Sequence, residues 1–366
     1  MKTIGLYIHV PFCAQKCAYC DFYSHLPAPG EMDRCTQAIC RQLSEWQRRL
    51  PDTTAATIYF GGGTPSLLGC DRLHRILTAA RTAFGEDQRE ITVECDPQPG
   101  APFDFKCLAD MGVNRVSIGV QTLCDDLLHL MNRSHTGEEA LSSLQQAKKA
   151  GIEHVNADLM LALPGQTKEM IRQTAESCIR YGASHLSAYL LKIEEKTVFY
   201  RRRRELPFPD EEEAAEQYEY LCRLLKEQGF CHYEISNFCL PGEEGQHNLI
   251  YWHDEEYLGL GPGAHSFLNG KRFFVPRNMQ RFYAGETVPD GDGGSEEEAI
   301  MLCLRLQEGL RFEAFEQRFG HPVPARLLRK AAPLRQVGLL QLTDSSLSLT
   351  ESGFLLSNSI ITELLS

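Results

Sequence analysis

Short apolar runs rich in β-branched residues alternate along this chain with longer stretches whose apolar positions recur at helical spacing. Seven of the runs read as strands: TIGLYIHV (3–10), ATIYF (56–60), EITVEC (90–95), RVSIGVQ (115–121), HVNADLML (154–161), HLSAYLLKI (185–193) and CHYEISNF (231–238). Helical spacing fills the stretches 33–49, 71–84, 137–149, 167–181 and 210–228. Strand, helix, strand, repeated about six times, is the signature of a parallel sheet with helical crossovers. The fold class is therefore α/β. Units of this kind predict a partial or full parallel (β/α) barrel, with a doubly wound open sheet as the competitor.

The placement of polar residues favours the barrel. A cysteine cluster follows the first strand, and Gly61-Gly62-Gly63-Thr64 follows the second. Glu94 ends the third, Gln121 ends the fourth, and Asp158 lies within the fifth. Barrel proteins build their sites at the C-terminal ends of several strands, so these residues are expected on one face.

After about residue 240 the rhythm changes. Residues 1–240 are expected to form the barrel, and 241–290, rich in glycine, histidine and aromatics, an irregular linking region with short strands. From 291 to 366, helical spacing at 296–308, 311–319, 324–337 and 351–364 surrounds the alternating stretch LLQLTDSSLSLT. That layout predicts a small C-terminal helical, winged-helix-like domain.

Composition narrows the function classes. The 366 residues carry a formal charge of −12, which argues against a nucleic-acid partner. No apolar run approaches the length of a membrane span. MKTIGLYIHV enters a strand directly, without a signal-peptide layout, so a cytoplasmic protein is expected. Of 14 cysteines, 11 are scattered singly and are expected to pack as free thiols in a reducing compartment.

The other three, Cys13, Cys17 and Cys20, follow the spacing Cys-x3-Cys-x2-Cys. Structural zinc wants four ligands and no second Cys-x2-Cys occurs, although His9 or His25 could complete a set. Iron–sulfur clusters ordinarily take four cysteines, so three leave one iron open to a substrate or cofactor. The Gly-Gly-Gly-Thr turn either lets backbone N–H groups approach an anion or simply turns a strand into a helix. Glu94, Gln121, Arg133 and Asp158 can each hold a ligand, or each end a strand.

Cys-x3-Cys-x2-Cys with Tyr19 before its last cysteine resembles the radical S-adenosylmethionine superfamily. That resemblance implies a [4Fe-4S] cluster whose open iron chelates the amino and carboxylate groups of S-adenosylmethionine. An electron from the cluster would then cleave a C–S bond and release a 5′-deoxyadenosyl radical. Tyr7-x-His9-x-Pro11-Phe12-Cys13, Gly61-Gly62-Gly63-Thr64-Pro65-Ser66 and Glu94-Cys95-Asp96-Pro97 are similar to the oxygen-independent coproporphyrinogen III oxidase family. So are Gly119-Val120-Gln121, Arg133, Asp158-Leu159-Met160 and Leu163-Pro164-Gly165-Gln166-Thr167, a likeness running from residue 5 to about 268. It implies Cys13, Cys17 and Cys20 as metal ligands. Cofactor contacts are implied from Tyr7, Tyr19, Phe22, Gly62, Gly63 and Thr64, and from Glu94, Gln121, Arg133 and Asp158.

Two features depart from the oxidases. Phe22 stands where they carry a fourth cysteine, and their long N-terminal arm is lacking. Both features, together with His247-Asn248-x-x-Tyr251-Trp252, resemble the heme-chaperone subfamily. That resemblance implies heme as cargo and acceptor proteins such as respiratory enzymes, with an electron donor. It also implies His247 as an axial ligand, with the nearby His253 and His265 as alternatives. The alternative is an enzyme, a coproporphyrinogen dehydrogenase-like oxidoreductase or another radical reaction on a tetrapyrrole. Arg201-Arg202-Arg203-Arg204 reads first as solvated surface ahead of an acidic helix start. Its sharper reading is contact with heme propionates or with anionic lipid at a membrane surface.

Overall fold

A computed structural model describes residues 2–97 and 103–366. Six parallel strands lie side by side in chain order: β1 (Lys2–Val10), β2 (Thr53–Gly62), β3 (Glu90–Cys95), β4 (Arg115–Gln121), β5 (His154–Leu161) and β6 (His185–Leu190). The main crossovers are α1 (Glu31–Arg49), α2 (Cys70–Phe84), α3 (Phe105–Asp110), α4 (Asp125–Leu130), α5 (Gly137–Lys149) and α6 (Lys168–Arg180). Ile8, Phe60, Val93, Ile118, Ala157 and Leu186 are all buried in one core with the inward stripes of these helices. A strand covered on both faces needs such continuous apolar sequence, which is why the runs were readable.

The sheet does not close, so the barrel is partial. After α7 (Val198–Arg202) and α8 (Glu211–Glu227), a hairpin of β7 (Cys231–Glu234) and β8 (Asn237–Cys239) pairs antiparallel with β6. Residues 231–238 had read as one strand; they fold back at Ile235-Ser236, where Glu234 pairs with Asn237. At the other edge, after α9 (Gln246–Trp252), β9 (Tyr257–Leu260) adds parallel to β1. Beyond it β10 (His265–Leu268), β11 (Lys271–Phe274) and, past α10 (Met279–Tyr283), β12 (Val288–Asp292) continue antiparallel. The short strands expected in the linking stretch are present, and they extend the main sheet. Both edges of the six-strand core are occupied, so β1 and β6 never meet.

The last segment has its own core, around Leu304, Leu327, Leu347, Phe354 and Ile361. Helices α11 (Glu296–Cys303), α12 (Phe312–Phe319), α13 (Ala325–Gln336), α14 (Glu351–Leu355) and α15 (Ser357–Leu365) surround a small sheet. That sheet joins β13 (Leu310–Arg311), β14 (Leu340–Leu342) and β15 (Ser346–Leu349), with β15 central. The winged-helix-like expectation matches this layout.

The scattered cysteines need one correction. Cys70, at the start of α2, forms a disulfide with Cys107 of α3, their Cα atoms 6.3 Å apart. Helix packing brings together two thiols far apart in sequence, which composition cannot show. Among the described residues, no helix is long and apolar enough to cross a membrane.

Candidate functional site

The cluster of thiols hangs on a loop that is fixed at several points. Cys13 N donates to His25 O at 3.0 Å, and His25 N donates to Pro11 O at 2.9 Å, which closes the loop at its base. Lys16 Nζ donates to Phe22 O at 2.5 Å and to Ser24 Oγ at 3.1 Å. Asn132, just past α4, donates to Lys16 O at 2.8 Å, while Ala18 N donates to Met131 O at 2.9 Å. Phe199 N of α7 donates to Ala18 O at 3.0 Å. These backbone and side-chain bonds position Cys13, Cys17 and Cys20, half-buried, over the C-terminal ends of the strands.

The thiols line a cavity of about 530 Å³ together with Tyr19, Phe22, Gly62, Gly63 and Thr64. Glu94, Gln121, Arg133 and Asp158 line it too, from β3, the end of β4, the α4–α5 turn and β5. Thr64 Oγ1 lies 3.7 Å from Cys13 Sγ, and Arg133 Nη1 lies 3.4 Å from Cys17 Sγ. At Gly63 a Cβ would stand 2.5 Å from Phe12 O, so only glycine lets the chain leaving β2 pass so close to the cysteine loop. Gln121 adopts φ 64°, the left-handed region, at the rim of the same cavity.

Sulfur spacing separates two kinds of metal site. One zinc, at about 2.3 Å from each thiolate, would hold its sulfurs roughly 4 Å apart in a tetrahedron. Among the described residues only Cys70, Asp104 and Cys107 gather ligand atoms within 4.8 Å of one another; all three are far from this loop in sequence, and the two cysteines are the disulfide pair. Cys13, Cys17 and Cys20 are more widely spread, which suits a multi-iron cluster with one thiolate per corner. Burial pushes the thiols of Cys13 and Cys20 upward, so metal binding there releases protons.

The carboxylates opposite are held by neutral donors. Glu94 accepts from Tyr59 Oη at 2.9 Å and from Gly62 N at 3.0 Å. Asp158 accepts from Ser117 Oγ at 2.9 Å and from Asn156 Nδ2 at 2.8 Å. Burial, then the nearby Asp158 charge, raises Glu94 to about 7; burial raises Asp158 to about 6. A cationic ligand would relieve both. Asp96 was not singled out from sequence, yet it accepts from Arg133 Nη2 at 2.6 Å and so aims the guanidinium at Cys17.

Glu94 gives a pH prediction. Its ordinary pKa is 4.5 and its folded value is about 7, so between these the folded chain holds an extra proton. The stability it contributes is complete below 4.5 and is lost as pH rises through about 7. In metal-free protein the Tm advantage of wild type over Glu94→Gln should therefore shrink from pH 5 to pH 8. A pH-independent difference in scanning calorimetry would contradict the placement of this buried carboxylate.

Two expected site residues stand elsewhere. Tyr7 does not line this cavity; its hydroxyl meets His9 Nδ1 at 3.1 Å and its ring lines a neighbouring one. His247 is 1% exposed, with Nδ1 2.7 Å from Thr57 Oγ1 and Nε2 2.7 Å from Tyr251 Oη. In this conformation neither ring nitrogen is open to an iron. Burial lowers its pKa to about 4, so the ring is neutral. The four arginines at 201–204 are exposed and line neither cavity; Arg203 stacks on Tyr200 instead.

The open α/β sheet with a three-thiol loop at its C-terminal face defines a radical S-adenosylmethionine protein, and the pattern of that superfamily matches residues 7–178. The HemN C-terminal domain pattern matches residues 297–356. The heme chaperone HemW of Lactococcus lactis subsp. lactis is 35% identical over 375 residues, covering 100% of this chain and 98% of that one. HemW of Bacillus subtilis is 32% identical and covers 97% of each. Coproporphyrinogen III oxidase (HemN) from Escherichia coli, a radical SAM enzyme, superposes with a TM-score of 0.85 at 21% identity. It covers 99% of this chain and 90% of that one, a likeness of fold. The chain belongs to the HemW family of heme chaperones. Its cofactors are those of its superfamily, a [4Fe-4S] cluster and S-adenosylmethionine.

Proposed function

We propose that this protein binds heme and delivers it to heme-accepting proteins such as respiratory enzymes, working in the cytoplasm. The observation that carries this reading is similarity to heme chaperones along the whole chain, joined to a cavity in which three thiols face buried carboxylates. Cys13, Cys17 and Cys20 would hold the cluster. The N–H groups of Gly62, Gly63 and Thr64 donate to Glu94, Val10 O and Phe12 O, so that turn would line the S-adenosylmethionine cavity without donating to the cofactor's carboxylate, contrary to the expectation of an anion cradle. Glu94 and Asp158 would take the cofactor's amino group and ribose hydroxyls, while Gln121 and Arg133 satisfy remaining polar atoms. Tyr19 would shield this group from water, with Phe22 at the exposed rim. When bound, the cluster supplies an electron, from a separate donor protein, to the sulfonium. The residues themselves bind, orient and exclude water.

Anaerobic protein should take up hemin and pass it to an apo-cytochrome, followed by the acceptor's absorption spectrum. With reductant and S-adenosylmethionine it should leave coproporphyrinogen III unchanged in product analysis. Formation of protoporphyrinogen IX would instead support the oxidase alternative.

A further inference from the structure

Beside the cluster cavity lies a second one, of about 280 Å³, between the cysteine loop and the β9–β10 segment. The two share Phe22 and Arg277 in their walls. Its apolar surface comes from Tyr7, Tyr23, Tyr251 and Tyr257, and Phe22 at the rim is 67% exposed, so the cavity opens to water. Two histidines reach it. His9 is spent, with Nδ1 on Tyr7 and Nε2 3.0 Å from Tyr23 O. His265 is not: its side chain is 54% exposed, and no described residue bonds its Nε2. Asp290 Oδ2 stands 3.6 Å behind Nδ1, and the ring stacks on Phe274 with centroids 5.2 Å apart. A carboxylate behind one nitrogen, leaving the other open, is how metal-binding histidines are commonly oriented. Arg277 is exposed, and no described carboxylate pairs with it.

Aromatic walls, one available imidazole and one unpaired guanidinium match part of a flat, metal-bearing macrocycle with carboxylate side chains, the rest of which would project through the opening of this cavity of about 280 Å³. We infer that this cavity is the heme site, with His265 as an iron ligand and Arg277 receiving a propionate, an assignment that rests on the heme-carrier reading above. The family motif enters indirectly. Its Tyr251 lines the cavity, and His247, bonded to the Tyr251 hydroxyl from behind, is a positioning residue. Because Phe22 and Arg277 belong to both walls, the cargo would rest against the cluster loop. An opening on the solvent side lets a macrocycle leave without unfolding the sheet.

The test is hemin titration of the full-length, cluster-loaded protein, read in the Soret band. His265→Ala should weaken hemin binding at least tenfold and move the band, and added imidazole should restore its position. Arg277→Gln should weaken hemin but not hemin dimethyl ester, which lacks the carboxylates. Both residues are exposed, so circular dichroism and iron content should not change. If both variants titrate like wild type while His247→Ala moves the band, the assignment is overturned. If wild type itself takes up no hemin, the carrier reading fails, a different result from intact binding with unaffected variants.

Discussion

Cys17→Ala is expected to lower the iron content of anaerobically reconstituted protein from about four atoms per chain to below one, with loss of the brown colour. Each of the three thiols supplies one corner in this account, so removing any one leaves a cluster with too few protein ligands. Cys17 is the most telling, because Arg133 already lies 3.4 Å from its sulfur and is fixed there by Asp96. The loop itself should survive, since its shape comes from backbone bonds to His25 and Met131 and from Lys16, none of which uses a thiol. Circular dichroism should therefore match wild type. Cys231→Ser, at an exposed cysteine on β7, is the control and should retain full iron.

Glu90→Ala is expected to be the most destabilising single change in the barrel, at about 3–5 kcal/mol. Glu90 lies at the start of β3, 2% exposed, and pairs with the equally buried Arg115 of β4 at 2.9 Å. Its two oxygens also accept from Gln246 N at 2.8 Å and His247 N at 3.0 Å. Helix α9 has only Gly245 at its start, without a side-chain cap, so a carboxylate from the sheet does that work. Removing it strands the Arg115 charge and leaves two amide donors unpaired in one step. Arg115 also donates to Glu243 O and Glu244 O, so Arg115→Ala should cost a similar amount. The double variant should cost clearly less than the sum, because each single change leaves the other charge buried and alone. Additive losses in urea denaturation would contradict the coupling.

That pair shows where sequence reading stopped. EITVEC and RVSIGVQ were legible as strands because burial on both faces demands apolar runs, and the cysteine spacing was legible because metal ligation demands fixed reach. Glu90 and Arg115 each open a strand, and nothing in the sequence marks them as a pair; only the parallel register of β3 beside β4 makes them partners. The same holds for Asp96, whose role depends on Arg133 folding back across the cavity. Tyr7 and His247 carry motif identities but not directions, and whether a ring faces a cavity or its back wall is decided by packing. Short strands were expected among the glycine- and aromatic-rich residues 241–290, but their runs are too short for a clear period, so the joining of β9–β12 to the main sheet could not be read.

Mössbauer spectroscopy of 57Fe-reconstituted, oxygen-free protein, before and after S-adenosylmethionine, tests the cluster assignment most directly. The account predicts a cubane of about four iron sites, one of which alone changes its signal on addition, and no cubane in Cys13→Ala, Cys17→Ala or Cys20→Ala. A single-metal site, or a cubane whose irons all ignore S-adenosylmethionine, would contradict it.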